Sequence, residues 1–79
     1  MPVVFRYNGY RFFFYSNEGD PREPIHIHVR KGGALAKFWI APVSLDASDG
    51  FDARSLREVE RIIEERTALI ERAWNEYFG

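Results

Sequence analysis

The chain has no cysteine and only one methionine in 79 residues. Without thiols there is no disulfide framework and no thiolate zinc site, the two supports on which small secreted domains usually depend. No apolar run approaches the roughly 18 residues of a membrane span. The opening Met1-Pro2-Val3-Val4-Phe5-Arg6 lacks the basic-then-apolar layout of a signal peptide. The resulting expectation is a cytoplasmic protein with no membrane partner. Repeats and low-complexity tracts are also missing, so residues 1–79 read as a single domain.

Net charge is nearly absent, at −1, but it is unevenly placed. Residues 1–40 carry Arg6, Arg11, Arg22, Arg30, Lys31 and Lys37 against Glu18, Asp20 and Glu23, a surplus of +3, whereas residues 41–79 come to −4. That asymmetry permits an anionic partner on the first half. What the chain does have is aromatic bulk: 7 Phe, 4 Tyr and 2 Trp. Large rings give a short chain enough buried area to fold without crosslinks.

Two hairpins are legible. Asn8-Gly9 suits a type I′ turn, whose two central residues both need positive φ. It pairs Tyr7 with Tyr10, Arg6 with Arg11, Phe5 with Phe12, Val4 with Phe13 and Val3 with Phe14. Alternation then puts Val3, Phe5, Tyr7, Tyr10, Phe12 and Phe14 on a core face, with Arg6, Arg11, Val4, Phe13 and Tyr15 opposite. The polar stretch from Ser16 to Pro24 reads as a loop. A second two-residue turn at Gly32-Gly33 pairs Arg30 with Leu35, Val29 with Ala36, His28 with Lys37, Ile27 with Phe38, His26 with Trp39 and Ile25 with Ile40. Ile25, Ile27, Val29, Ala36, Phe38 and Ile40 share one side; His26, His28, Arg30, Leu35, Lys37 and Trp39 share the other. Register and alternation agree.

After Pro42, residues 43–47 alternate well enough for a short fifth strand. Asp52 suits a helix N-cap, with Ser55-x-x-Glu58 as an alternative capping box. Apolar residues recur at helical spacing from Leu56 to Phe78, with Arg66 anomalous inside the apolar arc. One helix over residues 53–78 would run to nearly 40 Å at 1.5 Å per residue, about twice the length of a typical strand. A break near Glu65–Thr67 is therefore expected. Trp74, Tyr77 and Phe78 read as a core stripe, and Glu60/Glu64 with Arg57/Arg61 as a solvated face. The fold class is α+β: an antiparallel sheet of four strands, or five, then a helix or kinked helix pair packed on one face.

Four ordered stretches, Phe12-Phe13-Phe14-Tyr15-Ser16-Asn17-Glu18, Pro24-Ile25-His26-Ile27-His28-Val29-Arg30, Ala36-Lys37-Phe38-Trp39 and Ala73-Trp74-Asn75-Glu76-Tyr77-Phe78, span nearly the whole chain. Together they resemble a family of small prokaryotic proteins known only as domain of unknown function forty-one sixty. The family's common stretch carries a second proline where Ile25 stands here. The resemblance implies a gene pair of toxin–antitoxin type, with a small partner protein encoded nearby.

The chemically suggestive feature is His26-x-His28, which sets two imidazoles on one side of a strand about 6.5–7 Å apart. Three jobs suit them. They can ligate zinc or another divalent metal if a carboxylate such as Glu18, Asp20 or Glu23 completes the set; otherwise no cofactor is expected. They can act as general base and acid of a metal-independent ribonuclease, a metal-dependent hydrolase being the other enzymatic reading. Or the open sheet face, with Arg6, Arg11, Phe13, Tyr15, His26, His28, Arg30, Lys37 and Trp39, can bind RNA by stacking and charge neutralisation. Against all three stands a plainer reading. Exposed sheet faces are normally polar, and the aromatics there suit a protein partner or a homodimer contact. The expectation taken forward is a component of a two-gene system that binds a protein or RNA through this face.

Overall fold

In a computed structural model that describes residues 2–17 and 23–79, the chain forms a five-stranded antiparallel sheet followed by two helices. The strands are β1 (Val3–Tyr7), β2 (Tyr10–Phe13), β3 (His26–Lys31), β4 (Ala34–Ile40) and β5 (Val43–Asp49), in spatial order as in sequence. The helices are α1 (Ala53–Glu64) and α2 (Thr67–Phe78). The α+β expectation holds, and the fifth strand is present and longer than residues 43–47.

Turn chemistry sets the register. Asn8 and Gly9 take φ of 52° and 81°, the doubly left-handed pattern that matches the twist of a two-residue hairpin. Gly32 takes φ 58° at the next hairpin, and β3 and β4 pair as the alternation requires, from His26 opposite Trp39 to Lys31 opposite Ala34. The β1–β2 ladder runs as expected from Tyr7/Tyr10 to Phe5/Phe12 and then slips. An extra residue, Val4, puts Val3 opposite Phe13, so the expected Val4/Phe13 and Val3/Phe14 pairs are corrected by a β-bulge. A second bulge in β5 puts Leu45 opposite Phe38 and Ala47 opposite Lys37, with Asp46 between them.

The core lies between one face of the sheet and the helices. Tyr10, Phe12, Phe14, Ile27, Val29, Ala36, Phe38 and Ile40 from the strands meet Val59, Ile62, Ile63, Ile70 and Trp74. Phe5 stacks on Phe12 at 4.3 Å between ring centres. Val3, Tyr7 and Tyr77, assigned to the apolar faces by spacing, lie exposed at the periphery.

Asp52 caps α1, accepting the Ser55 amide at 2.8 Å, and that bond to its charged form holds its carboxyl below the usual range. Glu58 ties α1 to the first hairpin: it accepts from the Tyr10 hydroxyl at 2.7 Å and from Asn8 Nδ2 at 3.3 Å. The Tyr10 bond lowers the Glu58 pKa, while burial, then the same bond, raises that of Tyr10.

The helix breaks at residues 65–66, where length required it. Arg66 leaves the helical region at φ −130°, ψ 22°. Its guanidinium lies 4.5 Å from the Tyr7 ring centre and 5.4 Å from that of Phe5, and Nη1 donates to the Ile62 carbonyl at 3.5 Å. The anomalous base of the apolar arc is thus a lid over the β1 aromatics. Arg66→Ala is expected to lower stability by about 1 kcal/mol in urea unfolding, the scale of a half-exposed cation–π contact plus lost stem packing.

Candidate functional site

The face of the sheet turned away from the helices holds two different environments. Around the histidines it is closed. His26 is 0% exposed and His28 7%, which overturns the expectation that both imidazoles face solvent. Local geometry supplies the reason. β2 pairs with β3 only as far as Phe13 opposite His28, so His26 has no β2 partner. Its ring meets Trp74 of α2 at 5.0 Å, Trp39 at 5.5 Å and His28 at 5.4 Å. His26 Nδ1 lies 3.0 Å from the Pro24 carbonyl. A carbonyl only accepts, so this nitrogen carries a proton and donates.

Phe13 is 0% exposed as well. It stacks on His28 at 5.6 Å and meets Tyr15 edge-on at 5.3 Å. Trp39 and Lys37 are engaged within the protein. Lys37 Nζ sits 4.5 Å from the Trp39 ring centre, 3.5 Å from Glu23 Oε1 and 3.8 Å from Asp46 Oδ2. Trp39 Nε1 donates to Asp46 Oδ1 at 3.1 Å. The β5 bulge makes this possible. Asp46 is itself the extra residue, set between Leu45 opposite Phe38 and Ala47 opposite Lys37, on the strand next to Trp39 and Lys37. The aromatics expected to form an open stacking platform are therefore buried or engaged. His28 alone of the pair borders an opening, a largely apolar groove of about 290 Å³ between Tyr15, Leu35, Lys37 and Asp49.

The other end of the face is open and basic. Arg6 pairs with Arg11 across β1–β2, and Arg11 with Arg30 across β2–β3. This sets the arginines in one row at strand spacing, about 5 Å apart. With Lys31 and the Asn8-Gly9 turn they line a cleft of about 540 Å³ that, among the described residues, contains no carboxylate. Arg11 Nε and Arg30 Nε are buried and have no hydrogen-bond partner. Among the described residues, no carboxylate forms an ion pair with any of the three arginines. Lys31 Nζ lies 4.7 Å from the Tyr10 ring centre and 3.4 Å from the Asn8 carbonyl, over the mouth of the cleft.

The structure therefore brings Arg6, Arg11 and Arg30 together at one end of the face, away from Lys37, Trp39 and His26, and Arg11 joins the two regions through its guanidinium carbon 5.7 Å from the Phe13 ring centre. Lys31 was not anticipated. Alternation puts it on the core face, but it lies at the strand end, where its stem reaches past Tyr10 to the neighbouring turn. The metal set of His26, His28 and Glu18 rests on a residue outside those described, as does Asp20. Among the described residues, no three His, Cys, Asp or Glu side chains gather as a metal site. None of the described helices is long and apolar enough to cross a membrane.

A family model, Domain of unknown function (DUF4160), matches residues 9–75, which include Arg11, Arg30 and the histidine strand. No curated protein and no solved structure matches the chain.

Proposed function

The chain belongs to this family of domains of unknown function, and from that premise we propose that it is a binding module whose arginine row grips the phosphates of an RNA. The supporting observation is the cleft itself, which among the described residues gathers four bases, no carboxylate, and two buried guanidinium nitrogens without acceptors. Like charges set opposite each other on neighbouring strands are destabilising, and a buried donor left unpaired costs about 1–3 kcal/mol. An anionic ligand held by the outer Nη groups relieves the repulsion. Guanidinium suits phosphate because its planar fork donates two parallel bonds to two oxygens. Within a cytoplasmic two-gene system of toxin–antitoxin type, RNA is the partner this chemistry fits.

The ribonuclease reading has less support. A general base must come within hydrogen-bond reach of the proton it takes, and His26 is sealed by Trp74 and Trp39 with Nδ1 committed to Pro24. The groove at His28 offers one imidazole, not a pair.

Fluorescence anisotropy with a labelled oligo(U) tests the proposal. Saturable binding that weakens with added salt, and that depends on Arg11 and Arg30, is the expected result. No binding at low ionic strength, or binding indifferent to both arginines, would remove it.

A further inference from the structure

The basic surface does not end at the cleft. Arg54, Arg57 and Arg61 follow one another at i, i+3 and i+7 of α1 and so share one face of the helix. They are exposed and line a shallow depression together with Glu58. None of them has an ion pair among the described residues. Asp52 caps the helix through the Ser55 amide and Glu58 holds Tyr10 and Asn8, while the exposed Glu64 and Glu65 stand one turn beyond Arg61 and bound the basic stripe at that end of the helix. Asn8 is also a wall of the arginine cleft. The two basic surfaces thus meet at the β1–β2 turn, with Glu58 as the stitch and Lys31 and Arg61 both close enough to favour its charge.

Resting on the RNA-binding reading, we infer that α1 carries a second phosphate-binding segment, and that the ligand is a single strand that bends over the turn from the sheet face to the helix. The helices pack on the side of the sheet opposite the arginine row, so a ligand touching both surfaces must curve around one end of a molecule only about 20 Å thick. A double helix resists that curvature, since duplex DNA stays straight over about 50 nm. A single strand follows it freely, and phosphate contacts need no particular base.

The test compares two oligo(U) probes, of about four and about twelve nucleotides, both within the range of about 4–16 nucleotides that a single-strand-binding domain covers. Each neutralised phosphate contributes about 0.7 to the slope of log affinity against log salt for a single strand. Arg57→Ala/Arg61→Ala is expected to reduce the slope for the longer probe by about 1.4, two contacts' worth, and to leave the shorter probe's affinity unchanged. Arg57→Lys/Arg61→Lys, which keeps the charges, is expected to retain the wild-type slope and guards against a folding artefact, as does an unchanged melting temperature. Arg72→Ala, removing an exposed base of α2, is expected to change nothing.

An unchanged slope in the Arg57/Arg61 alanine pair, with both probes still dependent on Arg11 and Arg30, would overturn the second segment and leave the sheet-face reading standing. Failure of both probes to bind the wild-type protein would overturn that reading instead. An RNA duplex bound as tightly as the single strand would contradict the bend. A polyglutamate peptide bound as tightly as the longer probe would replace RNA with an acidic protein partner.

Discussion

Replacing both orphaned arginines, as Arg11→Met/Arg30→Met, is expected to weaken binding of a twelve-nucleotide RNA by about 100-fold or more, at about 1.5 kcal/mol for each charge-assisted hydrogen bond lost. The same variant is expected to be no less stable than the wild type. Methionine keeps an unbranched stem and sets a thioether near the Phe13 ring in place of the Arg11 guanidinium, whose carbon lies 5.7 Å from the ring centre. Two unpaired buried donors disappear, and with them the repulsion along the row. A core role for these residues predicts the opposite pairing, in which stability falls and binding follows it. Melting curves and anisotropy measured on one preparation separate the two. Loss of function without loss of stability is the mark of residues held in place for a ligand.

The second large effect is on the fold. Trp74 is 1% exposed and joins three parts of the molecule: Phe14 at 5.2 Å, Phe78 at 4.4 Å and His26 at 5.0 Å. Trp74→Ala is expected to cost about 3–5 kcal/mol, a large share of the roughly 5–15 kcal/mol that holds a typical domain together. The variant should populate unfolded chain at room temperature, seen as a broadened, early urea transition and loss of near-ultraviolet dichroism. Trp74→Phe, which retains most of the ring packing, should lose far less. Because the Trp74 ring also closes over His26, the alanine variant exposes that imidazole. A ribonuclease dependent on open histidines would gain activity in whatever fraction stays folded; a binding module would not.

Much of this architecture is legible in the amino-acid order, for identifiable reasons. The β3–β4 register follows from a two-residue glycine turn with clean alternation on both sides, and slipping it by one residue would turn every core side chain outward. The helix break follows from length, and Arg66 marks its place. The bulges at Val4 and Asp46 leave no trace in the alternation, since inserting one residue among mixed polar and apolar neighbours changes no local pattern. Asp46, inside the short strand expected over residues 43–47, is the bulge residue that holds Trp39 and Lys37.

The outer face was half legible. The Asn8-Gly9 turn alone sets Arg6 beside Arg11. Placing Arg30 in the same row required the pairing of β2 with β3, two strands separated by the polar stretch from Ser16 to Pro24, which local sequence does not specify. Burial of the histidines was not legible. It depends on β2 stopping at Phe13 and on a helix residue about 48 positions further along the chain reaching back to the sheet, a tertiary fact that strand alternation cannot carry. The histidine pair is packed into the fold, and among the described residues it is Arg11 and Arg30 that each keep a buried Nε without a hydrogen-bond partner.

The most direct test of the central claim observes those partnerless nitrogens themselves. In nuclear magnetic resonance of the isotopically labelled protein, the Nε–H signals of Arg11 and Arg30 can be followed as oligo(U) is added. Both are expected to shift as phosphate settles on the outer Nη groups of the same two guanidinium heads, since the Nε–H groups themselves are buried beside them. If RNA binds while these two signals stay where they are and other residues move, the arginine row is not the site and the account is wrong.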